Sequence, residues 1–310
     1  MTTALLVAVA FCFAWTIGSH YTGACMGMPY ALGAVGARTA LALMAPLALA
    51  GAALASSRVA HTVGRNLVEH TPTRLGWLVV VAAAFAVTGL YNRVRVPTST
   101  IQILVGSLVG EALAAGSGVQ WHTVAVLVAV WVAAPFAACA IGFGGGKLLR
   151  RVERVGFALV AVGCVASFAM GGNDVANASG ALVGPRVLGA HAAGALCGAG
   201  IALGVVVTGR PLLDRVAFEI VEVDRVSATA AQLVQALVVL AAVAFGFFTS
   251  MNQALVGAMA GAGSARGRNA VRRRTLAGIV RGWALGPPSA FALAFAVAHV
   301  VHWGGGSLAN

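Results

Sequence analysis

The 310-residue sequence is 60% hydrophobic and only 9% charged, whereas a soluble domain has about 25% charged residues. This composition excludes a water-soluble globular protein. The formal net charge of +12 comes largely from arginines between apolar stretches, with no interleaved aromatic residues, which argues against nucleic-acid binding.

The apolar stretches, taken in chain order, predict the membrane spans. A helix needs about 20 mostly apolar residues to cross the hydrocarbon core of a bilayer. Spans are predicted around residues 4–15, 39–55, 75–90, 124–141, 155–170, 187–207, 233–248 and 276–301. Shorter segments interrupted by Gly, Pro, Ser or Asn lie at 18–33, 97–116, 171–186 and 248–265. The sequence therefore predicts an all-α polytopic membrane protein with about eight full spans and four broken or re-entrant segments.

Two clusters of basic residues indicate the orientation of these spans. One cluster consists of Lys147, Arg150, Arg151 and Arg154, and the other of Arg266, Arg268, Arg272, Arg273 and Arg274. The positive-inside rule places both in the cytoplasm. The first cluster separates a predicted transmembrane repeat at 1–142 from a second at 155–310, with a basic cytoplasmic linker at 143–154.

An internal repeat organises the chain. Residues 18–27 align with 171–180 (171 − 18 = 153), and 98–102 align with 249–253 (249 − 98 = 151). Two further landmarks recur at similar shifts: 62–67 resemble 207–212 (207 − 62 = 145), and Trp131 with Pro135 matches Trp283 with Pro287 (283 − 131 = 152). Each half is therefore predicted to contain about four spans and two broken segments.

The charges after the second broken segment of each half differ. In the first half this segment carries Glu111 and no basic residue before Trp121, whereas in the second half it continues into five arginines. Equivalent ends with opposite charge bias are predicted to lie on opposite sides of the membrane. This predicts an inverted repeat, an architecture found in many secondary transporters.

Asp174 is the carboxylate that the pattern places inside a membrane segment, while Glu111 and the other six are assigned to loops or segment ends. A charged Asp at mid-membrane costs at least about 2.5–3.5 kcal/mol, which favours a functional role in holding a cation or relaying a proton. Asn173 and Asn177 share one helix face and add amide groups beside it. Helix packing through these polar groups is the alternative interpretation.

Hydroxyl groups precede the other two broken segments. Residues 98–100 (Thr-Ser-Thr) and 249–250 (Thr-Ser) are predicted to cap half-helices. A half-helix N-terminus inside the membrane offers free N–H groups and a positive dipole end, which suit an oxyanion. Capping alone is the alternative interpretation of these hydroxyls.

His20 and Tyr21 occupy the first-half positions that match Asn173 and Asp174. A single His in an apolar stretch is commonly structural. Its position opposite the Asn-Asp pair equally suggests that His20 donates to the anion or carries a proton.

These motifs resemble a known family. Residues 171–178, Gly-Gly-Asn-Asp-Val-Ala-Asn-Ala, closely resemble the Gly-Ala-Asn-Asp-Val-Ala-Asn-Ala signature of the inorganic phosphate transporter (PiT) family. Residues 97–102, Pro-Thr-Ser-Thr-Ile-Gln, resemble its Pro-Val-Ser-Thr-Thr-His segment. The resemblance covers most of the chain. It implies transport of phosphate, or in some members sulfate, coupled to sodium or protons.

Carried over by position, the resemblance implies a central site. Its substrate-binding residues would be Asn173, Asn177, Ser99, Thr100, Ser250 and Asn252, and His20 joins them as a candidate from its position. Asp174 would hold the coupling cation and would be the ligand of a sodium ion.

The first half departs from the family pattern. His20-Tyr21 stands where the family has Asn-Asp, and Ala24 replaces the second Asn. In the other half, Met251 and Gln253 replace a Thr and the His of the hydroxyl segment. With half of the expected cation ligands replaced, coupling by protons through Asp174 and His20 is as consistent with the sequence as coupling by sodium.

The expected function is secondary transport of an inorganic oxyanion, phosphate first and sulfate next, by alternating access in a bacterial-type inner membrane. No cofactor is expected beyond the coupling sodium ion or proton. The expected partners are the oxyanion and the lipid bilayer, no nucleic acid, and a second copy of the chain if a homodimer forms through Gly- and Ala-rich faces. The alternative is a non-transporting anion-sensing or scaffold subunit derived from such a transporter. Enzymatic activity is not expected, because no zinc, nucleophile or cofactor motif is present.

Overall fold

The computed structural model describes residues 1–96, 98–148, 155–215, 224–265, 267 and 273–305. Fourteen α-helices lie in these residues. Those of the first half are α1 (Thr2–His20), α2 (Thr22–Ala31), α3 (Ala37–Ala55), α4 (Ser57–Arg65), α5 (Arg74–Arg93), α6 (Thr100–Ala114) and α7 (Trp121–Leu148). Those of the second half are α8 (Val155–Asp174), α9 (Ala176–Val183), α10 (Ala190–Thr208), α11 (Arg210–Arg215), α12 (Arg225–Ala244), α13 (Met251–Ser264) and α14 (Arg273–Trp303).

The helices confirm the predicted fold class. Eight stretches of the described chain are long and apolar enough to cross a membrane, four in each half. The broken segments take two forms. Residues 18–33 and 171–186 are not separate elements, because α2 continues α1 and α9 continues α8 after a one-residue interruption at Tyr21 and at Val175. The other two, α6 and α13, are separate helices too short to span the bilayer.

The packing of the helices obeys a two-fold pseudosymmetry. Helix α3 packs against α8, and its equivalent α10 packs against α1. Likewise α6 packs against α14, while α13 packs against α7, and α5 packs against α1, while α12 packs against α8. Each contact therefore has a counterpart in which the two halves exchange places.

The equivalent helices run in opposite directions, as predicted for an inverted repeat. Thr3, at the start of α1, lines the same cavity as Pro185, which follows the end of α9. At the other end, Cys25 in α2 donates a hydrogen bond to the carbonyl oxygen of Ala166 in α8. The continuous rod α1–α2 is thus antiparallel to α8–α9, so one half is turned over relative to the other.

Glycine allows each short helix to pack closely against a long one. A Cβ atom on Gly106 of α6 would lie 2.4 Å from the carbonyl oxygen of Pro287 in α14. The equivalent contact joins Gly257 of α13 to Pro135 of α7, at 2.1 Å. Such backbone approaches are typical of membrane helix packing and need a residue without a side chain. These close backbone contacts join α6 to α14 and α13 to α7 inside the bundle.

The predicted span at 233–248 is wrong in its bounds, because α12 begins eight residues earlier and ends four residues earlier. Asp224 starts the helix, since its side chain accepts hydrogen bonds from the N–H groups of Val226 and Ser227. Gly246 has a φ of +76° and follows the end of the helix in the left-handed conformation that commonly terminates one.

The predicted basic linker at 143–154 begins within a helix, because α7 continues to Leu148. Lys147 lies in its last turn, with its ammonium group 4.3 Å from the centre of the Phe143 ring. The remaining basic side chains of the two clusters lie outside the described residues. The division into two repeats and a cytoplasmic linker at these positions stays a prediction.

Candidate functional site

The interruptions of the two broken rods lie inside the bundle, together with the N-termini of the two short helices. Tyr21 lies between α1 and α2, and Asp174 is the last residue of α8. Both are fully buried. Asn252, in the first turn of α13, donates a hydrogen bond of 2.7 Å to the carbonyl oxygen of Thr98, which precedes α6. Both half-helices therefore start at the centre of the molecule.

The Asp174 carboxylate is held by a network centred on the hydroxyl of Thr100. Thr100 Oγ1 lies 3.4 Å from Asp174 Oδ1, 2.8 Å from Asn177 Nδ2 and 3.0 Å from Tyr21 Oη. A hydroxyl has one proton and two lone pairs. Thr100 donates to Asp174 and accepts from Asn177, and it also forms a hydrogen bond with the Tyr21 hydroxyl, which bonds to the Asp174 carboxylate as well. Asn173 Nδ2 donates to the other carboxylate oxygen at 3.0 Å.

Within the part of the chain that the structure describes, no positive side chain pairs with this carboxylate, and the ion pair between Arg210 and Asp214 lies at the surface. Burial of an ionised carboxylate without a cation is costly, even with several hydrogen bonds. The cluster around Asp174 is therefore suited to a small cation or a proton.

Asn173 also fixes the chain in front of α13. Its Nδ2 donates to the carbonyl oxygen of Thr249 at 2.9 Å, and its Oδ1 accepts from the Thr249 N–H at 3.2 Å. A hydrogen-bonded pair of this kind sets the position of the half-helix N-terminus relative to Asp174.

His20 makes the equivalent contact in the first half, with Thr98. Its Nδ1 bonds to Asn92 Oδ1, and because the Asn92 amide donates to Thr16 and Ser19, this oxygen is an acceptor. A ring proton on Nδ1 fits this acceptor. In this tautomer Nε2 accepts from the Thr98 N–H at 3.1 Å, and it lies equally close to the Thr98 carbonyl oxygen. Both ring nitrogens thus have protein partners, and the geometry gives His20 the positioning role of Asn173.

The hydroxyls predicted to cap the half-helices behave differently. Ser250 is the N-cap of α13, and its Oγ accepts from the Gln253 N–H at 3.4 Å. Ser99 is the N-cap of α6 but makes no capping hydrogen bond, so capping by its side chain was wrongly predicted. Its Oγ is buried and has no hydrogen-bond partner among the described residues. This hydroxyl is available to a ligand at the positive end of α6.

Comparison with known proteins identifies the family. The sequence profile of the phosphate transporter family matches residues 17–155 and, a second time, residues 147–294. The chain belongs to the phosphate transporter family. The two successive matches also agree with the repeat found in the sequence and in the helix packing.

Individual relatives carry different substrate names. The sulfate permease CysP of Bacillus subtilis is 27% identical over 89% of this chain and 81% of its own length. A probable low-affinity inorganic phosphate transporter of Mycobacterium bovis is 29% identical over 97% of this chain and 78% of its own length. A solved sodium-dependent phosphate transporter superimposes with a TM-score of 0.91 at 22% identity, covering 97% of this chain and 99% of that one. Its likeness shows the shared fold.

This phosphate transporter family member has only one copy of the central polar network. The pair Asn177 and Thr100 corresponds, at the repeat shift, to Ala24 and Met251, which are apolar. Two glutamines of α12 contact the backbone there instead: Gln232 Nε2 donates to the carbonyl oxygens of Ala24 and Cys25, and Gln235 Nε2 donates to that of Met251 at 3.4 Å. Amide groups from a neighbouring span thus bond to the backbone at the two positions where the polar side chains are missing.

The transporter also contains a buried carboxyl that sequence reasoning assigned to a segment end. Glu111 lies in the last turn of α6 and is only 1% exposed, and neither of its carboxyl oxygens has a hydrogen-bond partner. The assignment to a segment end is correct, but it did not predict that the carboxyl is buried there.

Sequence reasoning missed other residues of the site as well. Tyr21, Asn92, Gln232 and Gln235 all bond to site residues or their backbone. The two glutamines are amide side chains within a mostly apolar span, and this pattern could have identified them from the sequence.

Proposed function

We propose that this phosphate transporter family member is a secondary transporter that carries a tetrahedral oxyanion at the junction of α6 and α13. The observation that carries the proposal is the buried Asp174, which has no ion-pair partner among the described residues. Its carboxylate bonds to Thr100 at the start of a half-helix, and the adjacent Ser99 hydroxyl has no described hydrogen-bond partner. A cation beside the carboxylate and an anion at the helix N-termini would neutralise each other, so each makes binding of the other more favourable.

The anion-binding end of the site consists of neutral donors. Ser99 and Ser250 are the N-caps of α6 and α13, and the first N–H groups of both helices are directed toward the centre. Binding by N–H groups and hydroxyls is strong enough to select an oxyanion and weak enough to release it, which a carrier requires. Asn173 and His20 keep the two N-termini in place through Thr249 and Thr98.

Phosphate is the proposed substrate, with sulfate as the second candidate, as the names of the relatives suggest. At neutral pH phosphate still carries at least one P–OH group that donates a hydrogen bond, whereas sulfate carries none. The site contains buried acceptors without a partner, the amide oxygens of Asn177 and Gln253. A buried acceptor left unpaired costs about 1–3 kcal/mol, so these oxygens favour the ligand that can donate.

Asp174 is proposed to bind the coupling ion, which is a proton or sodium. The first half lacks the second carboxylate, since Tyr21, whose hydroxyl bonds to that of Thr100, occupies the equivalent position. A single carboxylate supports one monovalent charge per cycle. The two halves would rock about the buried site, giving alternating access from either side. The proposed location is the cell membrane of a bacterium.

Uptake into proteoliposomes tests the proposal. Radiolabelled phosphate and sulfate are offered to the reconstituted full chain under an imposed sodium or proton gradient, for the wild type and for Asp174→Asn. Gradient-driven phosphate uptake in the wild type and its loss in the variant are expected. Asp214→Asn, which removes a surface carboxylate paired with Arg210, is the matched control and retains uptake.

A non-transporting anion sensor is the second candidate, because the first half has lost its Asn-Asp pair and Ala24 and Met251 are apolar. Anion binding without uptake under any gradient would support the sensor and overturn the transport proposal.

A further inference from the structure

Glu111 is a buried carboxyl group outside the central network. It is 1% exposed, and in the part of the chain that the structure describes neither carboxyl oxygen has a hydrogen-bond partner. Because α6 rises about 1.5 Å per residue, Glu111 lies about 16 Å along the helix from Thr100. It is also one turn from the loop that follows α6, where Gly116 is exposed. The carboxyl is therefore close to water at one end of the molecule and remote from Asp174.

The helices packed against α6 bring no charge to this carboxyl. Helices α6 and α14 run parallel, since Gly106 contacts Pro287 and Gly110 contacts Phe291. The described titratable side chains of α14 are Arg281, His299 and His302, those of α5 are Arg74, Tyr91 and Arg93, and α9 has none. His299 stacks on Phe295, beyond Glu111 along the helix, and the Arg74 guanidinium bonds to Thr3. Within the described residues, none of these groups pairs with Glu111.

The second half shows that the fold does not need a carboxyl at this position. The equivalent of Glu111 is Ala262 in α13 (262 − 111 = 151), which is fully buried. The preceding glycines, Gly110 and Gly261, make matching contacts with the backbone of α14 and α7. The fold therefore accommodates a methyl group at the equivalent position, and no described group forms a hydrogen bond with the carboxyl. An ionisable residue is costly to bury inside a membrane protein, so one that the fold does not require indicates a functional role.

We propose that Glu111 is a proton-binding site of the transport cycle, separate from Asp174, whose protonation accompanies the packing of α6 against α14. This inference rests on the proposed transport function. The neutral acid is compatible with the buried position in this structure, whereas the carboxylate requires water. When the interface opens, the acid releases its proton to water at the loop after α6, and closing takes one proton back. The positive-inside rule puts this end of the molecule outside the cell, opposite the basic clusters.

Helix α6 links this proton to the anion site. Thr100 and Glu111 lie on the same face of α6, because eleven residues correspond to three turns. A tilt of the helix that exposes Glu111 therefore also moves Ser99 and Thr100, which precede and begin it. Protonation at one end would thus affect access to the anion at the other.

The test compares phosphate uptake by reconstituted wild type, Glu111→Gln and Glu111→Ala across a series of symmetric pH values. Glutamine mimics the neutral acid, and alanine reproduces the second half. Both variants are expected to retain uptake at acidic pH. They are expected to exceed the wild type about tenfold at alkaline pH, since the protonated fraction of a carboxyl falls about tenfold per pH unit above its midpoint. Glu69→Gln, which removes an exposed carboxylate at the same end, should follow the wild type.

Hydrogen exchange in the last two turns of α6 provides a readout that a purely structural residue would not change. Exchange in the wild type should increase at alkaline pH relative to Glu111→Gln at the same pH. Identical uptake profiles and identical exchange would overturn the inference and leave the transport proposal intact. Failure of both variants to fold would also overturn it, because the carboxyl would then be structural. If no protein takes up phosphate, the transport proposal fails, and the exchange result still decides whether Glu111 binds a proton.

Discussion

Replacing Thr100 by valine removes the hydroxyl at the centre of the site and leaves the side-chain shape nearly unchanged. The substitution removes the hydrogen bonds of Thr100 Oγ1 with Asn177 Nδ2, Tyr21 Oη and Asp174 Oδ1. Each net hydrogen bond contributes about 1 kcal/mol, so the three together contribute about 3 kcal/mol. If this organisation is needed to bind the anion, the apparent affinity for phosphate should fall about 100-fold, since 1.4 kcal/mol corresponds to tenfold.

Isothermal titration of phosphate into the purified protein measures this change, and thermal unfolding establishes that the variant is folded. Thr100→Ser restores the hydroxyl and should recover most of the affinity. Ser107→Ala is the matched control, because it removes an α6 hydroxyl that bonds only to the Ile103 carbonyl oxygen of its own helix. A folded Thr100→Val protein that binds phosphate as tightly as the wild type would refute the assignment of the network to the binding site.

Two further predictions concern the framework of the site. His20→Ala should lower stability by about 1–3 kcal/mol, because it leaves the Thr98 N–H unpaired, and His20→Asn should partly restore it by reproducing the Asn173 contact; thermal unfolding measures both. Loss of phosphate affinity in folded His20→Asn would contradict the positioning role and favour direct anion contact. Gly106→Ala should destabilise by at least about 1–3 kcal/mol, because its Cβ would lie 2.4 Å from the Pro287 carbonyl oxygen. Gly89→Ala, with no atom within 4 Å of its Cβ, is the control, and equal melting temperatures for the two would contradict the packing argument.

The fold follows from the sequence where long apolar runs and the internal repeat carry the information. Eight spans in two halves are predicted because a bilayer demands long apolar helices, and the structure has them. The predicted bounds of α12 were wrong because its first two turns contain Ser227, Thr229 and Gln232. These polar residues lower the hydropathy of the stretch, so the apolar pattern does not include it. Those side chains are buried against other helices, a fact that depends on tertiary packing.

The site was predicted in part. Asp174, Asn173, Asn177 and Thr100 were all identified, and the structure brings them into one network. The role of His20 depends on Asn92, 72 residues away in the chain, and no local pattern reveals this partner.

For a similar reason, the burial of Glu111 was not predicted. Its position at the end of a segment is correct, but the helices that pack against α6, among them α14, are distant in sequence. Contacts between residues that are distant in sequence leave no local pattern, so the sequence alone does not predict them.

Counterflow across a proteoliposome membrane tests the central claim most directly. Liposomes containing the wild-type protein are loaded with unlabelled phosphate and diluted into a trace of labelled phosphate, with no ion gradient. An alternating-access carrier accumulates the label transiently, and Asp174→Asn should change this exchange far more than Asp214→Asn. Binding of phosphate by the same protein preparation without any accumulation of label would contradict transport and identify the molecule as an anion-binding membrane subunit.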